Sequence, residues 1–264
     1  DSVNGINELF LKYDQISTRV QHDYSHINPF MGKQEVLVPQ LDSGTYYMLS
    51  YGNTTSGTYQ EVDLYADILE FDIRKIVDDE GGNKGSVTIL MDGAKFDSAM
   101  TVYLDSNGVV IPGDSLYYID LTQALVTFDL NGAGTGFYDL VAINSANDTV
   151  VLTDAFTVVT GHSPFLAMYS IHPANTRVNM VSAFTIQFEN TGNVDLVSPS
   201  LRIKSLEGAP IALDAADLVN NNTEILVPLS LPGEPPHIIR PGVSGSLTVY
   251  TRAVTGLGFL INVE

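Results

Sequence analysis

Two short stretches carry oxygen ligands at a spacing that suits a calcium ion. Residues 105–108 and 129–132 both have the pattern Asp-x-Asn-Gly, which gathers side-chain and backbone oxygens at a turn, as hard cations require. Neither stretch continues to the closing Glu of a full Ca²⁺ loop. Because Asn-Gly between strands is also a strong hairpin signal, the pattern favours plain turns, with a Ca²⁺ site as the alternative. The candidate ligands are Asp105, Asn107, Asp129 and Asn131.

An acidic run offers a third candidate cation site. Asp78, Asp79 and Glu80 stand directly before Gly81-Gly82, so a flexible turn could bring carboxylates together around Ca²⁺. A solvated acidic turn would have the same sequence. Ca²⁺ is therefore the single cofactor that the sequence suggests, with Asp78 and Asp79 as further candidate ligands.

Nucleophilic catalysis is the next chemistry to weigh. Residues 113–116 read Gly-Asp-Ser-Leu, the motif of one hydrolase family, and Asp23 and His26 supply an Asp-x-x-His spacing. In that family the serine comes early, the Asp-His pair comes late and the fold is α/β, whereas here the order is reversed and helical patterns are missing. A nucleophilic serine also needs a base held by a third group. We therefore expect a polar turn at 113–116 and no catalytic residues.

Histidine and tyrosine offer weaker signals. Among the five histidines, at 22, 26, 162, 172 and 237, His22 and His26 are the closest pair. On one strand they would lie about 13 Å apart, too far to share a metal ion, so exposed loop positions are expected. The pairs Tyr46-Tyr47 and Tyr117-Tyr118 should each place one ring inward and one outward. Outward rings could stack on sugar, although cross-strand packing is the commoner role.

The composition excludes several classes of binding partner and site. The 264 residues include 31 acidic and 12 basic side chains, a net charge of −19, so nucleic acid would be repelled. The absence of Cys excludes disulfides, thiolate catalysis and Cys-based zinc sites. No apolar run approaches the roughly 20 residues of a membrane-spanning helix. Residues 1–4 lack the features of a signal peptide, so any targeting segment is expected upstream or already removed.

The hydrophobic pattern predicts an all-β chain of tandem β-sandwiches. Apolar residues alternate over five to eight positions, as in 87–91, 183–188 and 246–250, and turn residues bound these runs. Sandwich spacing and internal punctuation divide the chain into three modules. We call them the first module (1–67), the second module (68–160) and the third module (161–264). Short linkers near 66–71 and 159–164 favour a stiff rod with small contacts between neighbours.

The first module resembles the bacterial pre-peptidase C-terminal domain, a jelly-roll-like sandwich. The resemblance rests on Leu9-Phe10-Leu11-Lys12-Tyr13, on residues 17–19 leading to Asp23-Tyr24, and on the Gly-Thr-Tyr-Tyr strand within 43–52. Strands are predicted at 8–13, 34–38, 45–51 and 59–65. In that family one or two strands come earlier, so this module is expected to lack its N-terminal part or to take a partner strand at an exposed edge.

The other two modules resemble immunoglobulin-like families. In the second, an opening strand at 71–76, a glycine turn and a strand that closes on Gly93-x-x-Phe96 are similar to the IPT/TIG fold, with its last strands at 136–144 and 154–159. In the third, Asn190-Thr191-Gly192-Asn193 after a strand resembles CARDB-like modules. The turn Pro241-Gly242 before another strand matches the same family.

Three β modules without a convincing catalytic constellation predict a non-catalytic region that spaces or presents another domain, and the resemblances imply a larger secreted or cell-surface bacterial protein. Its partners would be neighbouring domains of the same polypeptide. The alternative is a module that binds polysaccharide or a surface protein beside a secreted hydrolase.

Overall fold

The computed structural model describes residues 5–27, 33–55, 62–173, 176–254 and 261–263. The chain is all-β, as predicted, and its strands form several antiparallel sheets with one parallel pairing. One short 3₁₀ turn, Ala215–Asn220, interrupts the strands of the third module. Within the described ranges, no helix has the length and hydropathy needed to cross a membrane.

The first module contributes a three-stranded antiparallel sheet in the order β2-β1-β3. Its strands are β1 (Gly5–Tyr13), β2 (Tyr24–His26) and β3 (Tyr46–Thr55). These confirm the strands predicted at 8–13 and 45–51. Phe10, 1% exposed, is the large apolar side chain buried in this sheet.

Two strand predictions in the first module are wrong. Residues 34–38 do not form a strand, because no neighbouring strand pairs with them; the Glu35 N–H instead donates to His26 Nδ1 at 3.1 Å, and the Glu35 side chain pairs with Arg74. Residues 62–65 are also not a strand. The side chains of Val62, Leu64 and Tyr65 are all exposed, so the alternating pattern there has no sheet to bury it. The predicted residues 59–61 lie outside the described ranges.

The second module is a sandwich built from one curled sheet of order β4-β6-β9-β8-β7-β10-β11-β5. Its strands are β4 (Asp72–Val77), β5 (Glu80–Gly82), β6 (Ser86–Ala94), β7 (Thr101–Ser106), β8 (Val109–Tyr118), β9 (Gln123–Asp129), β10 (Gly136–Ile143) and β11 (Thr149–Val159). The predicted strands at 71–76, 87–91, 136–144 and 154–159 all fall on these elements. Alternation turns Val87, Ile89 and Met91 into the core.

Strand β8 connects the two layers of this sandwich. Its first half pairs with β7 and its second half pairs with β9, and the register shifts between Gly113 and Ser115. This shift is a β-bulge, the device by which a strand bends from one sheet into another. Residues 113–116 are therefore part of a bulged strand, and the polar turn expected there is wrong. Gly113 suits the bend because a Cβ at this position would press on Val126 and the Val102 carbonyl.

The two Asp-x-Asn-Gly stretches are both turns, but of different kinds. Asn107 and Gly108 have φ values of 52° and 86° and join β7 to β8, with Ser106 opposite Val109. Two positive φ values in a two-residue loop define the hairpin turn that favours Asn-Gly. Residues 129–132 connect β9 to β10, which do not pair with each other. That turn therefore crosses between the layers.

The third module packs a four-stranded sheet, β12-β13-β19-β16, against a three-stranded sheet, β17-β15-β20, with the pair β14-β18 at one end. Its strands are β12 (Leu166–Ile171), β13 (Val181–Asn190), β14 (Leu196–Val197), β15 (Ser200–Ser205), β16 (Ile211–Ala212), β17 (Glu224–Pro228), β18 (Ile238–Ile239), β19 (Ser244–Arg252) and β20 (Ile261–Val263). Phe184, Ile186 and Phe188 of β13 face the core between the sheets. The turn at Pro241-Gly242 precedes β19, as predicted, with Gly242 at φ 72°.

We predict that Phe128→Ala lowers the free energy of unfolding of the second module by about 3–5 kcal/mol, since Phe128 is fully buried on β9 and truncation leaves a cavity. Urea denaturation followed by circular dichroism measures the change. Phe137→Ala is the matched control, because the Phe137 side chain is 63% exposed. Equal losses from the two substitutions would contradict this assignment of the core.

Candidate functional site at a buried module junction

A single asparagine shapes the loop that leaves β13. Asn190 is fully buried, and its Nδ2 donates to the carbonyls of Val194 and Ile239 at 2.8 and 2.9 Å. Its Oδ1 accepts from the Gly192 N–H at 3.0 Å. Because these bonds join the two ends of the loop to each other and to β18, residues 190–195 form a fixed projection. We call this segment the junction loop.

The junction loop docks on the second module by backbone hydrogen bonds. The Gly82 N–H donates to the Asn193 carbonyl at 2.7 Å, and the Asp195 N–H donates to the Ser86 carbonyl at 2.8 Å. Between these bonds, Val194 is 2% exposed and belongs to the same buried cluster as the second module's core. The loop therefore extends the core of one module with a side chain from the next.

The Asn193 side chain hydrogen-bonds to the linker between the two modules. Its Nδ2 donates to the Thr160 carbonyl at 3.0 Å, and its Oδ1 accepts from the His162 N–H at 2.7 Å. On the second-module side, Asn83 Oδ1 accepts from the Gly161 N–H at 2.9 Å. The linker thus has partners on both sides, and each of these bonds restricts rotation of one module against the other.

Glycine makes this close approach possible. A Cβ at Gly82 would clash with the Asn193 side chain and with the Gly161 Cα, and a Cβ at Gly161 would clash with Lys84. Neither contact could relax by moving the end of a flexible side chain, because backbone atoms are involved in both. The junction therefore requires glycine, which has no side chain, at both positions.

A carboxylate from the third module is buried against the second. Asp195 is 5% exposed, and its Oδ2 accepts from the Thr88 hydroxyl at 2.6 Å. The Thr88 hydroxyl in turn lies 2.7 Å from that of Thr127. Burial raises the pKa of Asp195 from 3.8 to about 6, although the Thr88 hydrogen bonds and the charge of Arg240 oppose the rise.

An arginine bridges the same junction beside Asp195. Arg240 binds both oxygens of Glu234 at 2.6 and 2.8 Å and reaches across to Asp78 Oδ2 at 2.6 Å. Burial alone would lower the pKa of Arg240, but the hydrogen bonds and charges of Glu234 and Asp78 raise it overall. The cation therefore stays charged inside the junction, where its loss would leave the carboxylate of Glu234, 11% exposed, without this partner.

The predicted cation ligands have other partners in the structure. Asp105 Oδ1 accepts from the Gly108 N–H, and Asp129 Oδ1 accepts from the Asn131 N–H, so each carboxylate closes its own turn. Asp78 instead pairs with Arg240. Across the described ranges, no cluster of three or more His, Asp or Glu side chains could hold a metal ion. Calcium at Asp105, Asn107, Asp129, Asn131, Asp78 or Asp79 stays a prediction.

The residues considered for catalysis are engaged elsewhere. Ser115 lies on the bulged strand β8. Asp23 accepts from the Tyr13 N–H at 2.8 Å and pairs with Lys12, and these contacts lower the pKa of its carboxyl group. The His22 ring packs against Phe10 at a tilt of 54°, with 4.9 Å between ring centroids. His22 lies in a loop, as expected, whereas His26 ends β2, and both are half-buried, so the expected exposure is wrong for both and the expected loop position is wrong for His26.

An open depression lies on the outer face of the third module. It has a volume of about 340 Å³ and is lined by Tyr169, Gln187, Glu189, Ser244 and Ser246. Tyr169, Gln187 and Ser246 are neighbours across β12, β13 and β19, so they share the face opposite the core. Tyr169 is 63% exposed. Of the tyrosines weighed from sequence, Tyr47 and Tyr117 are exposed, whereas Tyr46 and Tyr118 are half-buried, as alternation predicts.

No protein-family model matches the sequence, and a comparison with curated proteins also gives no match. The resemblances to pre-peptidase C-terminal, IPT/TIG-like and CARDB-like modules therefore rest on the motifs quoted above and stay predictions.

The sequence contained one signal of the junction whose meaning was missed. The Asn-Thr-Gly-Asn stretch at 190–193 resembles a family motif of the third module, yet Asn193 binds the linker and Asn190 shapes the docking loop. The second-module partners of Asp195 and Arg240, Thr88 and Asp78, lie 107 and 162 residues away. No local pattern could have paired them.

We predict that Gly82→Ala weakens the docking of the two modules, because the added Cβ displaces Asn193 and breaks junction hydrogen bonds worth about 1 kcal/mol each. Hydrogen exchange of the Asp195 amide, which donates across the junction, should accelerate by about 5–150-fold for a loss of about 1–3 kcal/mol.

Gly134→Ala is the matched control, because a Cβ at Gly134 would meet only the Tyr138 hydroxyl at 3.7 Å, an ordinary contact. Exchange at Asp195 should be unchanged in this variant. An equal effect of both substitutions, or of neither, would mean that the close approach at Gly82 does not control docking.

Proposed function

We propose that this chain is a non-catalytic structural region of a larger secreted or cell-surface bacterial protein, and that it spaces or presents another domain. The observation that carries the proposal is the buried junction, in which Val194 enters the core of the second module and Arg240 bridges to Asp78. A spacer must transmit position from one end to the other. A junction with buried apolar and backbone contacts and a partly exposed ion pair limits hinge motion more than a flexible linker would.

The surface chemistry supports the same role. A net charge of −19 keeps such a region soluble and separated from other acidic surfaces. Folding without Cys makes the modules independent of disulfide formation outside the cell. The proposed partners are neighbouring domains of the same polypeptide, and Ca²⁺ bound at a turn would add stiffness.

We predict a single narrow distance between the second and third modules. The chain has no cysteine of its own, so Ser98→Cys and Thr248→Cys, at exposed positions on the two modules, would carry spin labels without background. Pulsed electron paramagnetic resonance should give one narrow distribution, because the junction loop fixes the two modules together. The same labels in the Gly82→Ala chain should give a broader distribution.

Two results would contradict the spacer. A broad distribution in the otherwise unchanged chain would show that the junction does not hold the modules. Turnover in a hydrolase screen, abolished by substitution of one serine or carboxylate, would show that the chain is catalytic.

The depression beside Tyr169 favours a second candidate, a module that binds polysaccharide. An exposed ring offers a flat apolar face, and sugar rings stack on such faces while their hydroxyls bind nearby polar groups. Gln187, Glu189, Ser244 and Ser246 have no side-chain hydrogen bond or ion pair to any described residue. These side chains are therefore open to hydroxyl groups of a ligand.

We predict that, if this candidate is correct, Tyr169→Ala removes binding on a glycan array and in affinity electrophoresis with soluble polysaccharides. Affinity should fall by about 5–150-fold, because alanine substitution of an aromatic residue that stacks on a flat ring costs about 1–3 kcal/mol, as it does for nucleic-acid bases. Tyr117→Ala is the matched control, because Tyr117 is exposed on the second module, away from the depression. Binding that is unaffected by Tyr169→Ala, or absent from every glycan, would exclude this candidate.

A further inference from the structure

The carboxylate of Asp195 is incompletely paired inside the junction. Its Oδ2 accepts from Thr88, but its Oδ1 is buried and has no hydrogen-bond partner in the structure. A buried carboxylate oxygen without a donor is costly when charged. When protonated, the same group carries less charge into the junction and gains a donor of its own.

The charges that face Asp195 do not remove this cost. Arg240 attracts the carboxylate but is already bound to both oxygens of Glu234 and to Asp78, and Glu234 repels it. From the second module, the strands β6 and β9 present the neutral hydroxyls of Thr88 and Thr127. His162 contacts the junction loop through its backbone N–H.

Burial of Asp195 depends on docking itself. Thr88 lies on the face of β6 opposite Val87 and Ile89 and is fully buried. The third module contacts this end of the face through Asp195, whose carboxylate accepts from the Thr88 hydroxyl and whose N–H donates to the Ser86 carbonyl. Separation of the two modules would therefore return both side chains to water.

We propose that the junction is a proton-controlled latch: uptake of one proton by Asp195 fastens the third module to the second, and release of that proton loosens it. The proton is exchanged with solvent, and no covalent bond changes. This property goes beyond a passive spacer, because it makes the stiffness of the region respond to mild acid.

The direction follows from linkage. The docked carboxyl group binds its proton more tightly than an exposed one, so its contribution to docking is complete below pH 3.8 and is lost as the pH rises through about 6. A rise of about two pKa units corresponds to about a 100-fold change in the docking equilibrium. The steepest change lies between about pH 4 and 6.

Hydrogen exchange on the full chain tests the latch. The Gly82 amide donates to Asn193 across the junction, so its protection factor reports docking even when the undocked state is rare. Between pH 4 and pH 7 this factor should fall about 100-fold in the unmodified chain. In Asp195→Asn, which cannot ionise, it should stay constant. The Gly93 amide, which bonds Thr122 within the second module, corrects for changes in global stability.

Two further variants make the test specific. Asp92→Asn removes another buried carboxylate, one that pairs with Lys75 away from the junction, and should keep the 100-fold fall. Thr88→Val removes the hydroxyl that stabilises the charged form, so the midpoint of the fall should move to higher pH. A flat profile in the unmodified chain, or an equal fall in Asp195→Asn, would overturn the proposal.

Discussion

The arrangement of the second and third modules depends on the buried side chain of Asn190. Its amide satisfies carbonyls at both Val194 and Ile239, and its own backbone pairs with Val243 and Gly242. Buried backbone carbonyls need partners, and a loop that turns back on itself cannot supply them from a neighbouring strand. The side chain of Asn190 supplies these hydrogen-bond partners from inside the loop. With the loop fixed in this way, Val194 and Asp195 project toward the second module at a set spacing.

Some contacts at the junction favour docking of the two modules, and others oppose it. Burial of Val194 and the backbone bonds of Gly82 and Asp195 favour docking. Removal of the charged groups of Asp195, Arg240 and Glu234 from water opposes it, and the ion pairs offset part of that cost. A junction made only of apolar contacts would be equally firm at every pH. The ionisable groups are therefore what allows its strength to vary.

The sequence predicted the elements whose causes are local. Alternation located β6, β13 and β19, and the Asn-Gly pair located the hairpin at 107–108, because side-chain direction and positive φ are set within a few residues. Prediction from the sequence failed where the structure of a segment depends on residues far away in the chain. Residues 34–38 alternate like a strand but have no ladder partner, and residues 113–116 look like a turn until their pairing with both β7 and β9 makes them a bulge.

The connection between the first and second modules differs from the connection between the second and third modules in how deeply its contacts are buried. The predicted rod had small contacts between all neighbours, yet the second and third modules share buried side chains, whereas contact between the first and second includes the Arg74–Glu35 ion pair, in which both partners are about 40% exposed. An exposed pair contributes about 0–1 kcal/mol and weakens with salt. In the Arg240–Asp78 pair of the second connection, the Arg240 side chain is 7% exposed and the Asp78 side chain 37%, so salt weakens this pair less than one exposed on both sides. Salt should therefore act more strongly on the first connection and mild acid on the second, so the two connections respond to different properties of the medium.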